Sequence, residues 1–266
     1  MTMQSFIVPF LLTLGAGLAT GVGSAIAFAA KHTNRRLLSF SLGLSGGVMV
    51  YVSFVELMPQ GAELLAEHFA GKVSEWINLL AFFGGMAFIG LIDHLVPSVE
   101  NPHEAHSVEE LQHKPRQSKL MRVGLMSALA IAIHNFPEGI ATFTAGMNDP
   151  ALGLAIAVAV AIHNIPEGIA VSVPIFFATE SRKRAFLWSL LSGLAEPLGA
   201  LAAWLILAPI LTPALLGCIL TAVAGIMVYI SLDELLPAAR EHGEAHTAIA
   251  GVVVSMIIMA VSLLIV

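Results

Sequence analysis

The chain has 266 residues, of which 57 % are hydrophobic and 11 % charged, with a formal net charge of -6 and a mean hydropathy of +0.87. Soluble domains carry about 25 % charged residues, so this composition excludes an ordinary soluble domain and identifies an integral membrane protein. With Cys218 as the only cysteine, an internal disulfide framework and cysteine-based metal centres are excluded too.

Eight stretches approach or exceed the ~20 residues a helix needs to cross a bilayer. They fall at about 6–30, 37–58, 76–96, 121–147, 151–177, 185–208, 213–236 and 247–266. They leave no room for a separate soluble domain, so residues 1–266 read as one polytopic membrane domain of all-α class. A hydrophilic loop at 97–120 lies within it. No Lys or Arg precedes the first apolar run, which reads as a retained span rather than a cleaved leader.

The first span carries Gly15, Gly17, Gly21 and Gly23, which favour close helix packing. The second span ends in the run Gly47 to Pro59, and the seventh in the run Gly225 to Pro237. The two align without a gap at an offset of 178, sharing Gly, Met, Val, Tyr, Ser, Glu, Leu and Pro. Met49 and Met227 in these runs read as packing residues. Glu56 and Glu234 read either as interfacial charges or as residues serving ion entry and exit.

Asp93 and His94 end the third span and read as interfacial. The loop that follows holds His103, His106 and His113 with Glu100, Glu104, Glu109 and Glu110. Such a tract can hold a metal loosely, but no tight ligand spacing is present, and a disordered cytoplasmic linker is the plainer reading.

Spans four and five contain one phrase twice, His134-Asn135-Phe136-Pro137-Glu138-Gly139 and His163-Asn164-Ile165-Pro166-Glu167-Gly168, spaced 29 residues apart. Residues three and four apart share a helix face, so His134, Asn135 and Glu138 lie together, as do His163, Asn164 and Glu167. Pro137 and Pro166 each remove a backbone donor, so each helix should kink there and free the carbonyl of Ile133 or Ile162. Ionisable groups at this depth are costly, and kinked helices at the midplane are typical of transporter ion sites. A simple His–Glu ion pair could explain one copy, but it would not require the Asn, Pro and Gly to recur. Imidazole with carboxylate suits zinc and its first-row neighbours better than calcium or magnesium. Span six adds Glu196, followed by Pro197, with no Lys or Arg in that span's interior to pair with it; a bound cation is the natural partner.

Basic residues set the orientation. Loops after spans one, three, five and seven hold Lys31, Arg35, Arg36, Lys114, Arg116, Lys119, Arg122, Arg182, Lys183, Arg184 and Arg240, against Lys72 alone in the even loops. The positive-inside rule puts the odd loops in the cytoplasm and both termini outside. Spans two and seven then run oppositely, as do spans four and five. The expected fold has inverted repeats, spans 1–3 and 6–8 around spans 4–5, with a symmetric site of up to six ligands on the axis. The two glutamates are its natural shared residues.

The doubled His-Asn-x-Pro-Glu-Gly motif, Glu-Pro in span six, the His-bearing third loop and eight spans together resemble the ZIP (Zrt/Irt-like) family of divalent metal transporters, in its bacterial branch. The resemblance covers essentially the whole chain. It implies a binuclear centre, with one metal among His134, Glu138, His163 and Glu167. The second would lie among Asn135, Glu138, Asn164, Glu167 and Glu196, with Glu138 and Glu167 bridging. It also implies that His134 and His163 set selectivity, and that Zn2+ is taken up through the cytoplasmic (inner) membrane, with Fe2+, Mn2+, Co2+ and Cd2+ as further cargo. Expected partners are metal ions and lipid, not nucleic acid; the oligomeric state, up to a homodimer, is left open, as are proton coupling and affinity. An intramembrane zinc hydrolase is the alternative from another class, but its His-Glu-x-x-His phrase is absent and no catalytic residue is assigned. An exporter or a channel differs from an importer in ways that spacing does not reveal.

Overall fold

The computed structural model describes residues 3–29, 35–95, 117–207, 210–241 and 245–265. Among them it is all helical, in eight segments that match the eight expected spans: α1 Met3–Ala29, α2 over 35–68, α3 Lys72–Leu95, α4 Gln117–Asn148, α5 Pro150–Thr179, α6 Arg182–Leu207, α7 over 213–241 and α8 Ala245–Ile265. Six of these (all but α4 and α8) contain stretches long and apolar enough to cross a membrane. α4, with 32 residues, and α8, with 21, have the length as well. Large apolar side chains such as Trp76, Leu80 and Leu205 face outward while histidine, asparagine and glutamate are buried, the distribution a lipid solvent demands. The chain is a multi-pass membrane protein. His103, His106, His113 and the glutamates of the third loop lie outside the described residues, and from Gln117 onward that loop is already α4.

Two of the spans run further than their prolines suggest. Helix α2 continues past Pro59 to His68 and α7 past Pro237 to Glu241, each through a π-helical turn, Ser53–Leu57 and Ser231–Leu235. The Met58 N–H donates to the Ser53 carbonyl and the Leu236 N–H to the Ser231 carbonyl, five residues back in both cases. Widening the helix just before the proline makes room for a ring that would otherwise strike the carbonyl four residues earlier. The two turns stand 178 residues apart, the same offset as the sequence repeat.

Pro137 and Pro166 do not interrupt α4 or α5, both of which run through as continuous α-helix. A break in the α-helix is found in α6, where Arg182–Gly193 gives way at Leu194 to Ala195–Ala202. The carbonyl that Pro197 displaces belongs to Gly193, the residue with the most backbone freedom, so the helix yields at that point.

Glycines set the packing. Helices α4 and α5 form an antiparallel hairpin, since Gly124 meets Ile175 at one end and Gly146 meets Gly153 at the other. The link between them is Asp149, whose carboxylate caps α5 by accepting from the Ala151 N–H at 2.8 Å. Helix α1 lies along α5, α6 along α4, α2 along α8 and α3 along α7. A side chain at Gly168 would strike the backbone of Thr20, and one at Gly139 the backbone of Glu196. These are equivalent contacts in two halves: Ala16, Thr20 and Gly23 of α1 correspond to Ser192, Glu196 and Gly199 of α6, each pair 176 residues apart. The contacts α1 with α5 and α6 with α4 therefore repeat one arrangement about an axis through the hairpin, as the inverted repeat requires.

Candidate metal centre

The doubled phrase brings its side chains together at the middle of the α4–α5 hairpin. Because the helices run oppositely, the histidine of each copy meets the glutamate of the other. His134 Nε2 lies 2.5 Å from Glu167 Oε1, and His163 Nε2 lies 3.0 Å from the same oxygen and 3.7 Å from Glu138 Oε2. The imidazole centroids are 5.7 Å apart and their planes 31° from parallel. Ligating atoms of His134, His163 and Glu167 all fall within 4.8 Å of one another. Four ligands at zinc–nitrogen and zinc–oxygen distances around a tetrahedral ion stand roughly 3.3 Å apart. The distances of 2.5, 3.0 and 3.7 Å straddle that value, so small side-chain rotations fit the set to a cation.

The asparagines hold the outer edges. Asn164 Nδ2 donates to the Ala16 carbonyl of α1 at 2.8 Å and to Glu196 Oε1 of α6. Asn135 Nδ2 donates to the Ser192 carbonyl of α6 at 3.4 Å, one turn before Glu196. Each asparagine thus ties the hairpin to a flanking helix at equivalent places, leaving Asn135 Oδ1 and Asn164 Oδ1 without a hydrogen-bond partner among the described residues.

All seven expected residues, His134, Asn135, Glu138, His163, Asn164, Glu167 and Glu196, are at most 5 % exposed. Both oxygens of Glu138 and one each of Glu167 and Glu196 lack a hydrogen-bond partner among the described residues. No Lys or Arg lies on α4 beyond Arg122 or on α6 beyond Arg184, and α5 has none. Three carboxylates and two imidazoles are therefore buried together with no Lys or Arg beside them on these three helices, a donor set chemically suited to a cation.

The pseudo-symmetry is incomplete. Glu167 is approached by both imidazoles within 3.0 Å, while His163 stands 3.7 Å from Glu138. The α1 counterpart of Glu196 is Thr20, so the third carboxylate exists on one side alone. One contributor was not singled out in the sequence: Ser45 of α2, whose Oγ lies 2.9 Å from His163 Nδ1. A small hydroxyl in an apolar span carries no pattern that marks it.

The other candidates fall elsewhere. Met49 and Met227 are fully buried packing residues. Glu56 accepts a hydrogen bond from Gln60 Nε2 at 2.9 Å on its own helix. The side chain of Glu234 lies outside the described residues. Asp93 and His94 border a groove with Met86 and Tyr229 between α3 and α7, away from the hairpin residues.

A family model described as ZIP Zinc transporter matches residues 94–263. A protein named Zinc transporter ZupT from Streptococcus mutans is 58 % identical over 261 residues, covering 98 % of both chains. Proteins of the same name from Chlorobium limicola and Clostridium perfringens are 57 % and 52 % identical, each over 98 % of this chain and over 99 % and 97 % of their own lengths.

Proposed function

The chain belongs to the ZIP zinc transporter family, and from that premise we propose that it takes up Zn2+ into the cytoplasm through a two-position site built from His134, Asn135, Glu138, His163, Asn164, Glu167 and Glu196. It is a divalent metal transporter, not an enzyme. The observation that carries the residue assignment is Glu138: a buried carboxylate at the hairpin axis, neither oxygen of which has a hydrogen-bond partner among the described residues. An arriving cation supplies the missing interaction.

The imidazoles with Glu138 and Glu167 form a nitrogen-rich position suited to zinc. The asparagine carbonyls with Glu138, Glu167 and Glu196 form an oxygen-rich one that harder ions tolerate. Glu138 and Glu167 belong to both. A cation that sheds water at one position can slide to the next without leaving carboxylate contact, and rocking of one helix group against the other then opens the site inward. With mixed ligands and the Irving–Williams order against selection by affinity alone, Fe2+, Mn2+, Co2+ and Cd2+ are expected as further cargo. The setting is a single polytopic domain in the bacterial inner membrane, with both termini extracytoplasmic.

Radiolabelled zinc uptake by the full chain in proteoliposomes, with and without a pH gradient, tests cargo, direction and coupling together. Glu138→Ala and Glu167→Ala, incorporated at normal levels, should reduce uptake at least ~100-fold, since each removes a ligand from both positions. Unaltered uptake by both variants would refute the assignment.

A further inference from the structure

The hydroxyl of Ser45 is fully buried, 2.9 Å from His163 Nδ1, on the side of the imidazole away from the carboxylates. It comes from α2, which packs along α8 rather than being one of the three helices that supply the ligands. At the offset of 178 that relates α2 to α7, the counterpart of Ser45 is Val223, which has no hydrogen-bonding side chain. The repeat thus supplies this hydroxyl in one half only, although the motifs that carry the imidazoles are the same.

Resting on the zinc-site reading above, we infer that Ser45 is a positioning residue for His163, and that its hydroxyl sets the preference of the site for zinc over harder divalent ions. The chemistry follows from what a hydroxyl can do. A neutral imidazole carries one ring proton. With the ring proton on Nε2, which faces Glu167 at 3.0 Å, Nδ1 is the acceptor and the Ser45 O–H, 2.9 Å away, the donor. When Nε2 ligates a cation its lone pair is used, the ring proton is carried on Nδ1, and Nδ1 donates to Ser45 Oγ. The imidazole keeps one proton in both states, and the hydroxyl reverses its role by rotating about its C–O bond. Alanine or valine can play neither part, and a carbonyl could play only the second.

An outer hydrogen bond of this kind fixes ring orientation and raises the basicity of the ligating nitrogen; losing one costs 10- to 100-fold in metal affinity or activity. The loss falls on ions that favour imidazole. Zinc does so, while Mn2+ relies more on carboxylate and carbonyl oxygen.

The test uses the full chain in proteoliposomes, with Zn2+ and Mn2+ uptake measured separately, and compares Ser45→Thr with Ser45→Val. These side chains are nearly equal in volume and differ in the hydroxyl, so any packing damage is shared. The expected result is a zinc KM raised about 10-fold or more in Ser45→Val, a Mn2+ KM changed less than about threefold, and zinc KM near wild type in Ser45→Thr. Zinc KM unchanged in Ser45→Val, equal shifts for both metals, or equal shifts in Thr and Val would each overturn the inference. If neither variant folds, Ser45→Ala is read by the same criteria. Glu138→Ala run alongside separates the two readings: if it still transports, the zinc-site assignment fails; if it does not and Ser45→Val matches wild type, only the role of Ser45 fails.

Discussion

At the scale of single residues, Glu138 joins two properties that a stable apolar core would not combine, full burial and two oxygens without hydrogen-bond partners among the described residues. A buried carboxylate whose nearest imidazole, that of His163, lies 3.7 Å away is poorly compensated in the metal-free protein, and removing the charge without changing shape relieves it. Glu138→Gln is therefore expected to unfold at a higher temperature than wild type when both are metal-free, while losing zinc uptake. Zinc should reverse the ranking. A ligand at about 100 times its Kd stabilises the folded state by ~2.7 kcal/mol, so wild type should gain that much on zinc addition, lose it to a chelator, and overtake the variant. Thermal unfolding of detergent-purified protein with zinc and with chelator checks both halves. A Glu138→Gln protein that is less stable without metal and gains as much from zinc as wild type would place the carboxylate in a structural role.

At the scale of elements, the site depends on how closely α1 reaches α5 and α6 reaches α4. Gly→Ala inside an exposed helix ordinarily adds stability, by up to about 1 kcal/mol. At Gly168, where a Cβ would strike the Thr20 backbone, the sign should invert. Displacing a packed backbone costs typically 1 to 3 kcal/mol. It would also move Asn164, whose amide spans Ala16 of α1 and Glu196 of α6. Gly168→Ala should thus lower both the unfolding temperature and the zinc uptake rate, whereas Gly84→Ala, with open space around it, should lower neither. Matching behaviour of the two variants would count against the close-packing account. The same elements show which features a sequence discloses. The two His-Asn-x-Pro-Glu-Gly phrases and Glu196 were legible because ionisable groups stand out against alanine and valine, and the 178-residue repeat because its identities recur without a gap. The π-helical turns were not: Pro59 reads as a helix end, and only the i to i+5 bond from Met58 to Ser53 shows how the helix passes it. Ser45 and Thr20 were invisible for a different reason. Their meaning lies in register across helices, and a hydroxyl amid small residues has no local signature.

At the scale of the whole molecule, the pseudo-two-fold arrangement needs odd and even loops on opposite sides, and the basic residues supply the asymmetry from which the orientation is expected. Eleven of the twelve lie in or beside the odd loops. Each Lys or Arg near an anionic cytoplasmic leaflet contributes about 1 kcal/mol, so the eleven-to-one split is expected to orient the chain with its odd loops inside. Two consequences follow. A reporter enzyme that requires disulfide bonds should be active when fused after residue 266 and inactive when fused in the loop at Ser181, since disulfides form only in the oxidising extracytoplasmic compartment. Neutralising Arg182, Lys183 and Arg184 together should leave the orientation unchanged, because eight basic residues still oppose one. Reporter activity in the reverse pattern would invert the topology and with it the direction of uptake, while leaving the geometry of the metal centre untouched. A topology switched by the triple substitution alone would show instead that the fifth loop, and not the summed charge, orients the chain.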